Sequence, residues 1–177
     1  MFVTRVLYLL IGSFFLGSVY ADPPFEVLRS CIDIKPKNSS ITLTEILGGH
    51  PTKMMGANCE DQYTKEFHGH FYGIVSCDND FYLIINDQKI RADSAINRSI
   101  NPEIKPGFAF TSHAMWHKIT QGNQSYLCIQ SGITGAGIGA GDSQYYIIEN
   151  AFEKNAVPVV YYYFFDKNII PITSEHF

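Results

Sequence analysis

The sequence from Tyr126 to Phe165 decides the fold: YLCIQSGITGAGIGAGDSQYYIIENAFEKNAVPVVYYYFF. It is rich in β-branched and aromatic residues, which favour strands. Its pattern predicts strands at Tyr126–Gln130, at Gln144–Asn150 and within Val157–Phe165. Residues Val159–Phe165 are apolar on both faces, which predicts a central strand that is covered on both sides.

Between the first two of these strands lies a glycine-rich segment, residues 131–141. Gly135, Gly137, Gly139 and Gly141 alternate there with small apolar residues. Such a backbone can adopt positive φ or allow a partner to approach closely, and loops on a rigid β frame often carry function. A long connection without a partner is the alternative. The predicted partner-binding residues are Thr134, Gly135, Gly137, Gly139, Gly141, Asp142, Ser143 and Tyr145.

Two catalytic or cofactor motifs fail in this segment. Gly135–Ala140 matches the looser dinucleotide fingerprint G-x-G-x-x-A, but Gln144–Ile148 predicts a strand where that fingerprint requires a helix. Ser131-Gly132 lacks the glycine of a nucleophile elbow, because Ile129 occupies that position. We therefore predict no cofactor and no catalytic residue. An enzymatic function remains a hypothesis only if the protein binds a catalytic metal.

The remaining pattern predicts one α+β domain, mostly antiparallel β, with one or two short helices and about six to eight strands. Phe25–Ile32 suits a short helix or an edge strand, and Thr42–Leu47 begins with a capping box, which predicts a helix. Glu66–Cys77 predicts a strand. Asp78–Asp80 is typical of a turn, and Phe81–Asn86 completes the hairpin.

The N-terminus has the pattern of a signal peptide. Arg5 precedes the apolar run Val6–Leu16, and Val19-Tyr20-Ala21 resembles a cleavage site. The apolar run is short for a membrane span, and Pro23-Pro24 follows it without a basic cluster. We expect residues 1–21 to be removed, no span to remain, and residues 22–177 to form one exported domain.

Charge and cysteine content suit export to a periplasmic or secreted location. Loss of Arg5 changes the formal net charge from −4 to −5, which argues against nucleic acid and anionic membranes as partners. Three sequons, at Asn38, Asn97 and Asn123, matter only in a eukaryotic source; the short leader also suits a bacterial periplasm, which we favour.

Four cysteines indicate disulfides in an exported chain. They allow three pairings, and we expect Cys31–Cys59, which closes a local segment, and Cys77–Cys128, which links two predicted strands. One disulfide with two buried thiols is the alternative. Cys59 could alternatively act as a nucleophile beside His68 or His70. In an exported chain with four cysteines we favour a disulfide at Cys59.

Two histidine pairs provide the alternative chemistry. His68 and His70 would share one face of a strand, and His113 and His117 would share one face of a helix. Together they could bind zinc or copper. Ordinary hydrogen-bonded histidines are the competing interpretation.

We expect a non-enzymatic protein-binding module, an inhibitor or immunity-type partner of an exported enzyme or toxin. The alternatives are a zinc- or copper-dependent hydrolase or metal-binding protein that uses the histidine pairs, and a small-ligand domain with an aromatic pocket. The oligomeric state is open, because exposed strand edges can pair.

Overall fold

A computed structural model describes residues 21–47, 59–101, 103–107, 114–132 and 143–165, with the backbone alone at residues 60–63. Its elements are α1 (Phe25–Asp33), β1 (Ile41–Glu45), β2 (Cys59–Phe67), β3 (His70–Cys77), β4 (Asp80–Ile85), β5 (Gln88–Arg91), a 3₁₀ turn (Ala92–Ser94), β6 (Ile96–Asn97), β7 (Met115–Gln121), β8 (Gln124–Gly132), β9 (Ser143–Glu149) and β10 (Val159–Phe164). The predicted fold class, mostly antiparallel α+β with disulfides, is confirmed.

The strands form two sheets. The six-stranded sheet has the order β1-β7-β8-β9-β10-β6, and its pairs are antiparallel except for the parallel pair of β10 with β6. The four-stranded sheet, β2-β3-β4-β5, is an antiparallel meander. The prediction for the β10 region is confirmed, since β10 lies between two strands and is buried on both faces.

The six-stranded sheet is the middle layer of three. One face packs on the four-stranded sheet, and the other face packs on α1. The residues that meet the four-stranded sheet include Trp116, Leu127, Ile129, Tyr146, Ile148 and Tyr162. Because side chains alternate along a strand, their neighbours Cys128, Ile147, Tyr161 and Tyr163 lie under the helix. The aromatic strands therefore supply both cores.

The segment Phe25–Ile32, which suits either a helix or an edge strand, forms α1. Val27, Ser30 and Cys31 recur at helical spacing and are buried against the sheet. The helix ends where Ile34 takes a left-handed conformation, with φ 49°, and Pro36 follows shortly after.

Tight turns connect the four-stranded meander. Asp78 and Asn79 have positive φ, 52° and 69°, between β3 and β4, and the turn predicted there is confirmed. The predicted strand Glu66–Cys77 is wrong in its continuity, because His68 (φ 52°) and Gly69 (φ 77°) divide it into the hairpin β2–β3. The described residues contain ten strands, more than expected, partly for this reason.

The helix predicted at Thr42–Leu47 is also wrong, because residues 41–45 form β1. Leu43 pairs with Ile119 of β7 on the face towards α1, while Thr42 and Thr44 are exposed. One helical turn stabilises little by itself, whereas pairing with β7 satisfies the backbone and buries Ile41.

Both expected disulfide pairings are wrong. Cys31 of α1 is bonded to Cys128 of β8, and Cys59 of β2 is bonded to Cys77 of β3. The helix places Cys31 directly on the face of the sheet where Cys128 projects, with a Cα–Cα distance of 5.7 Å. Cys59 and Cys77 lie opposite each other in the β2–β3 register. There is no free cysteine among the described residues.

Candidate functional site

The stem of the glycine-rich segment is formed by the last residues of β8 and the first residues of β9. Ser131 pairs with Gln144, and Gly132 pairs with Ser143. The Gln144 side chain is only 1% exposed, and its Nε2 donates to Ser131 Oγ at 3.3 Å and to the Gly132 carbonyl oxygen at 3.0 Å. A buried side-chain amide therefore joins the two strands where the segment leaves the sheet.

A second amide braces the opposite face of the stem. Gln130 Nε2 donates to Ser143 Oγ at 3.3 Å, across β8 and β9. Gln130 Oε1 is buried and has no hydrogen-bond partner among the described residues. We call Gln130, Ser131, Gly132, Ser143 and Gln144 the loop stem.

An aromatic cluster lies beside the stem on the face that carries α1. The Phe165 ring centroid is 5.8 Å from that of Tyr145 and 6.0 Å from that of Tyr163. Burial raises the pKa of Tyr145, and a hydrogen bond with Ser143 opposes that shift. Phe165 is partly exposed, as is Met115 at the start of β7. The stem therefore has a packed aromatic support with an exposed apolar margin.

The structure describes only part of the predicted partner-binding set. Ser143 belongs to the loop stem, and Tyr145 belongs to the aromatic cluster, with 8% of its surface exposed. A side chain this buried presents little surface of its own and instead supports its neighbours. Contact by the set stays a prediction. The other members, Thr134, Gly135, Gly137, Gly139, Gly141 and Asp142, lie outside the described residues.

The first histidine pair does not share a strand face. His68 occupies the β2–β3 turn, and His70 begins β3. The Nδ1 atom of His70 lies 2.7 Å from Asp87 Oδ2, and the same carboxylate accepts the Phe71 amide at 2.8 Å. His70 is thereby oriented towards the β4–β5 turn, which contains Asp87.

The second pair is not on a helix. His117 lies in β7, opposite Glu45 of β1, and His113 is outside the described residues. No group of three or more histidine, cysteine, aspartate or glutamate residues that could hold a metal is found in the described part of the chain. The four-histidine metal site stays a prediction, but the strand and helix geometry on which it was based is wrong.

His117 is instead a buried residue of β7, where it pairs with Glu45 of β1 and Cys128 of β8. It is 4% exposed, and its Nδ1 has no hydrogen-bond partner among the described residues. Burial lowers the pKa of His117, Glu45 opposes that shift and Lys65 adds to it. Lys65 donates from Nζ to the Ile46 carbonyl oxygen at 2.9 Å, and burial lowers its pKa too. This contact links β2 to the end of β1.

The sequence did not predict Gln130 and Gln144 as site residues. Their only signal in the sequence is their position next to the glycine-rich segment, since their pairing with Ser143 and Ser131 depends on the β8–β9 register. No family model, curated protein or solved structure matches the chain.

No helix in the part of the chain that the structure describes has the length and hydrophobicity of a membrane span. The two disulfides indicate an oxidising compartment, extracellular or periplasmic.

Proposed function

We propose that the protein is an exported, non-enzymatic binding module that contacts another protein, an exported enzyme or toxin, through residues 134–143. The observation that carries this proposal is the loop stem. Buried Gln144 fixes the position at which both ends of the segment leave the sheet.

A braced stem favours binding because the two strand ends that carry the segment are held in fixed positions. Association costs roughly 0.5–1.5 kcal/mol for each side chain that it immobilises, and pre-organisation reduces this ordering cost. The disulfide between Cys31 and Cys128 helps to hold the aromatic cluster that supports the stem, since it ties α1 to β8 beneath that cluster. The inhibitor or immunity-type role is proposed by analogy with small exported proteins of this build.

Capture of the partner tests the proposal. The oxidised chain that starts at Asp22 is immobilised and exposed to an extract of its own compartment and of competing cells, and bound proteins are identified by mass spectrometry. A Gly137→Val/Gly139→Val variant serves as the loop variant. The matched control is Asn123→Val/Asn155→Val, with two exposed turn positions at the opposite end of the sheet.

We expect one hydrolase or toxin to bind the parent chain and the control variant but not the loop variant, with nearly equal melting temperatures. A partner that also binds the loop variant, or no partner at all for folded protein, contradicts the proposal.

A further inference from the structure

The residues around the expected cleavage site are held against the six-stranded sheet. The Tyr161 hydroxyl donates to the Ala21 carbonyl oxygen at 2.7 Å. Arg98 Nε donates to Asp22 Oδ1, also at 2.7 Å. Pro23 is buried, and the Pro24 carbonyl oxygen accepts hydrogen bonds from the Val27 and Leu28 amides in the first turn of α1. The peptide unit between residues 21 and 22 therefore has a defined position.

This position has an excess of negative charge. Glu149 of β9 and Tyr161 of β10 project from the same face as diagonal neighbours on adjacent strands. Arg98 pairs with Asp22, whereas Glu149 has no basic partner in the described part of the chain. Burial raises the pKa of Glu149, and the Asp22 carboxylate raises it further.

We propose that hydrolysis of the Ala21–Asp22 peptide bond creates an α-ammonium group that this position binds, between the Tyr161 hydroxyl and the Glu149 carboxylate. A signal peptidase adds water across the bond: the water oxygen forms the new Ala21 carboxylate, and the Asp22 nitrogen takes up the protons. Cleavage thus both removes the leader and supplies the positive charge that Glu149 lacks.

The geometry allows this capture. Within one peptide unit the oxygen and nitrogen are about 2.3 Å apart, so the Asp22 nitrogen lies within about 5 Å of the Tyr161 hydroxyl oxygen. When residue 21 leaves, that hydroxyl loses its acceptor and can accept a hydrogen bond from the ammonium. The N-terminus of α1 disfavours a cation, but the carboxylates of Asp22, Glu26 and Glu149 offset it.

A double-mutant cycle on the exported full-length protein tests the proposal. One change inserts Gly-Ser between Ala21 and Asp22, so that processing leaves the ammonium two residues further away. The second change is Glu149→Gln, and Glu153→Gln, an exposed acid in the next turn, is its control. Mass spectrometry identifies the first residue of each exported chain, and urea unfolding gives its stability.

We expect the parent chain to begin at Asp22, and Glu149→Gln to lower its folded-to-unfolded ratio about fivefold, as for a partly exposed ion pair. The same substitution should have no effect after the Gly-Ser insertion, and Glu153→Gln should have none in either chain. A parent chain that begins at another residue, or an equal effect of Glu149→Gln in both chains, overturns the proposal.

Discussion

Tyr162 and Tyr146 are buried between the two sheets, and replacing each by phenylalanine should change the stability in opposite directions. They are cross-strand neighbours on β10 and β9, with ring centroids 5.1 Å apart, and neither is exposed. The Tyr162 hydroxyl has no hydrogen-bond partner among the described residues. The Tyr146 hydroxyl donates to the Gly107 carbonyl oxygen and accepts from the Gly107 amide, each at 3.0 Å.

Tyr162→Phe should stabilise the protein. A buried polar group without a partner costs about 1–3 kcal/mol of desolvation, which the substitution removes while the ring remains. We expect a gain of about 1 kcal/mol, because the lost hydroxyl also leaves a small void. For a domain of this length, that corresponds to a rise of about 2–4 °C in melting temperature.

Tyr146→Phe should instead destabilise the protein. It leaves the amide and the carbonyl of Gly107 without their partner, and we expect a loss of about 1–2 kcal/mol because Gly107 is half-buried and water can replace part of the interaction.

Urea unfolding of both variants and the parent chain, monitored by tyrosine and tryptophan fluorescence, measures the difference. A Tyr162→Phe variant that is less stable than the parent would refute the reasoning, since it would mean that a bound polar group occupies the space beside that hydroxyl.

Two further predictions concern pH and the disulfides. Because the pKa of His117 is lowered by burial, the unfolded chain binds more protons than the folded chain, so stability should fall as pH decreases below the unfolded value of about 6.5. Unfolding between pH 7.5 and 5.5 should show this slope in the parent and a smaller one in His117→Phe; equal slopes would contradict it. Replacing Cys31 and Cys128 by alanine should lower the free energy of unfolding by about 4.7 kcal/mol, because this disulfide closes a loop of 97 residues. Replacing Cys59 and Cys77 should lower it by about 3.2 kcal/mol, because their loop has 18 residues. Denaturant midpoints of both double variants test this order, and a larger loss for the shorter loop would contradict it.

The central strands could be predicted from the sequence because local composition and burial agree there. Residues 159–164 are apolar on both faces, and β10 is buried on both faces. The Asp78-Asn79 turn was also predictable, since these residue types tolerate positive φ.

The local sequence pattern gave the wrong secondary structure where the same residues fit two different secondary structures. The capping box at Thr42 also fits an edge strand with exposed threonines, and only the pairing with β7 decides between them. The β-favouring run at residues 66–77 conceals the His68-Gly69 turn, whose two residues have positive φ. The geometry predicted for His68 and His70 was wrong for this reason, because it assumed one strand through that turn. The geometry predicted for His113 and His117 assumed a helix, whereas Met115–Gln121 form β7.

Long-range contacts could not be predicted because they depend on the packing of complete elements. Cys31 meets Cys128 only after α1 has packed on β8. Gln144 reaches Ser131 only in the observed β8–β9 register. The sequence therefore indicated the glycine-rich segment as the candidate site but did not indicate how its ends are held.

The most direct test of the proposed function is the dissociation constant of the captured partner for the parent chain, the Gly137→Val/Gly139→Val variant and the Asn123→Val/Asn155→Val control. We predict binding about 30-fold weaker for the loop variant, which corresponds to the loss of about 2 kcal/mol at an interface hot spot, with no change for the control. Equal dissociation constants for the three chains would contradict the proposal that residues 134–143 bind the partner.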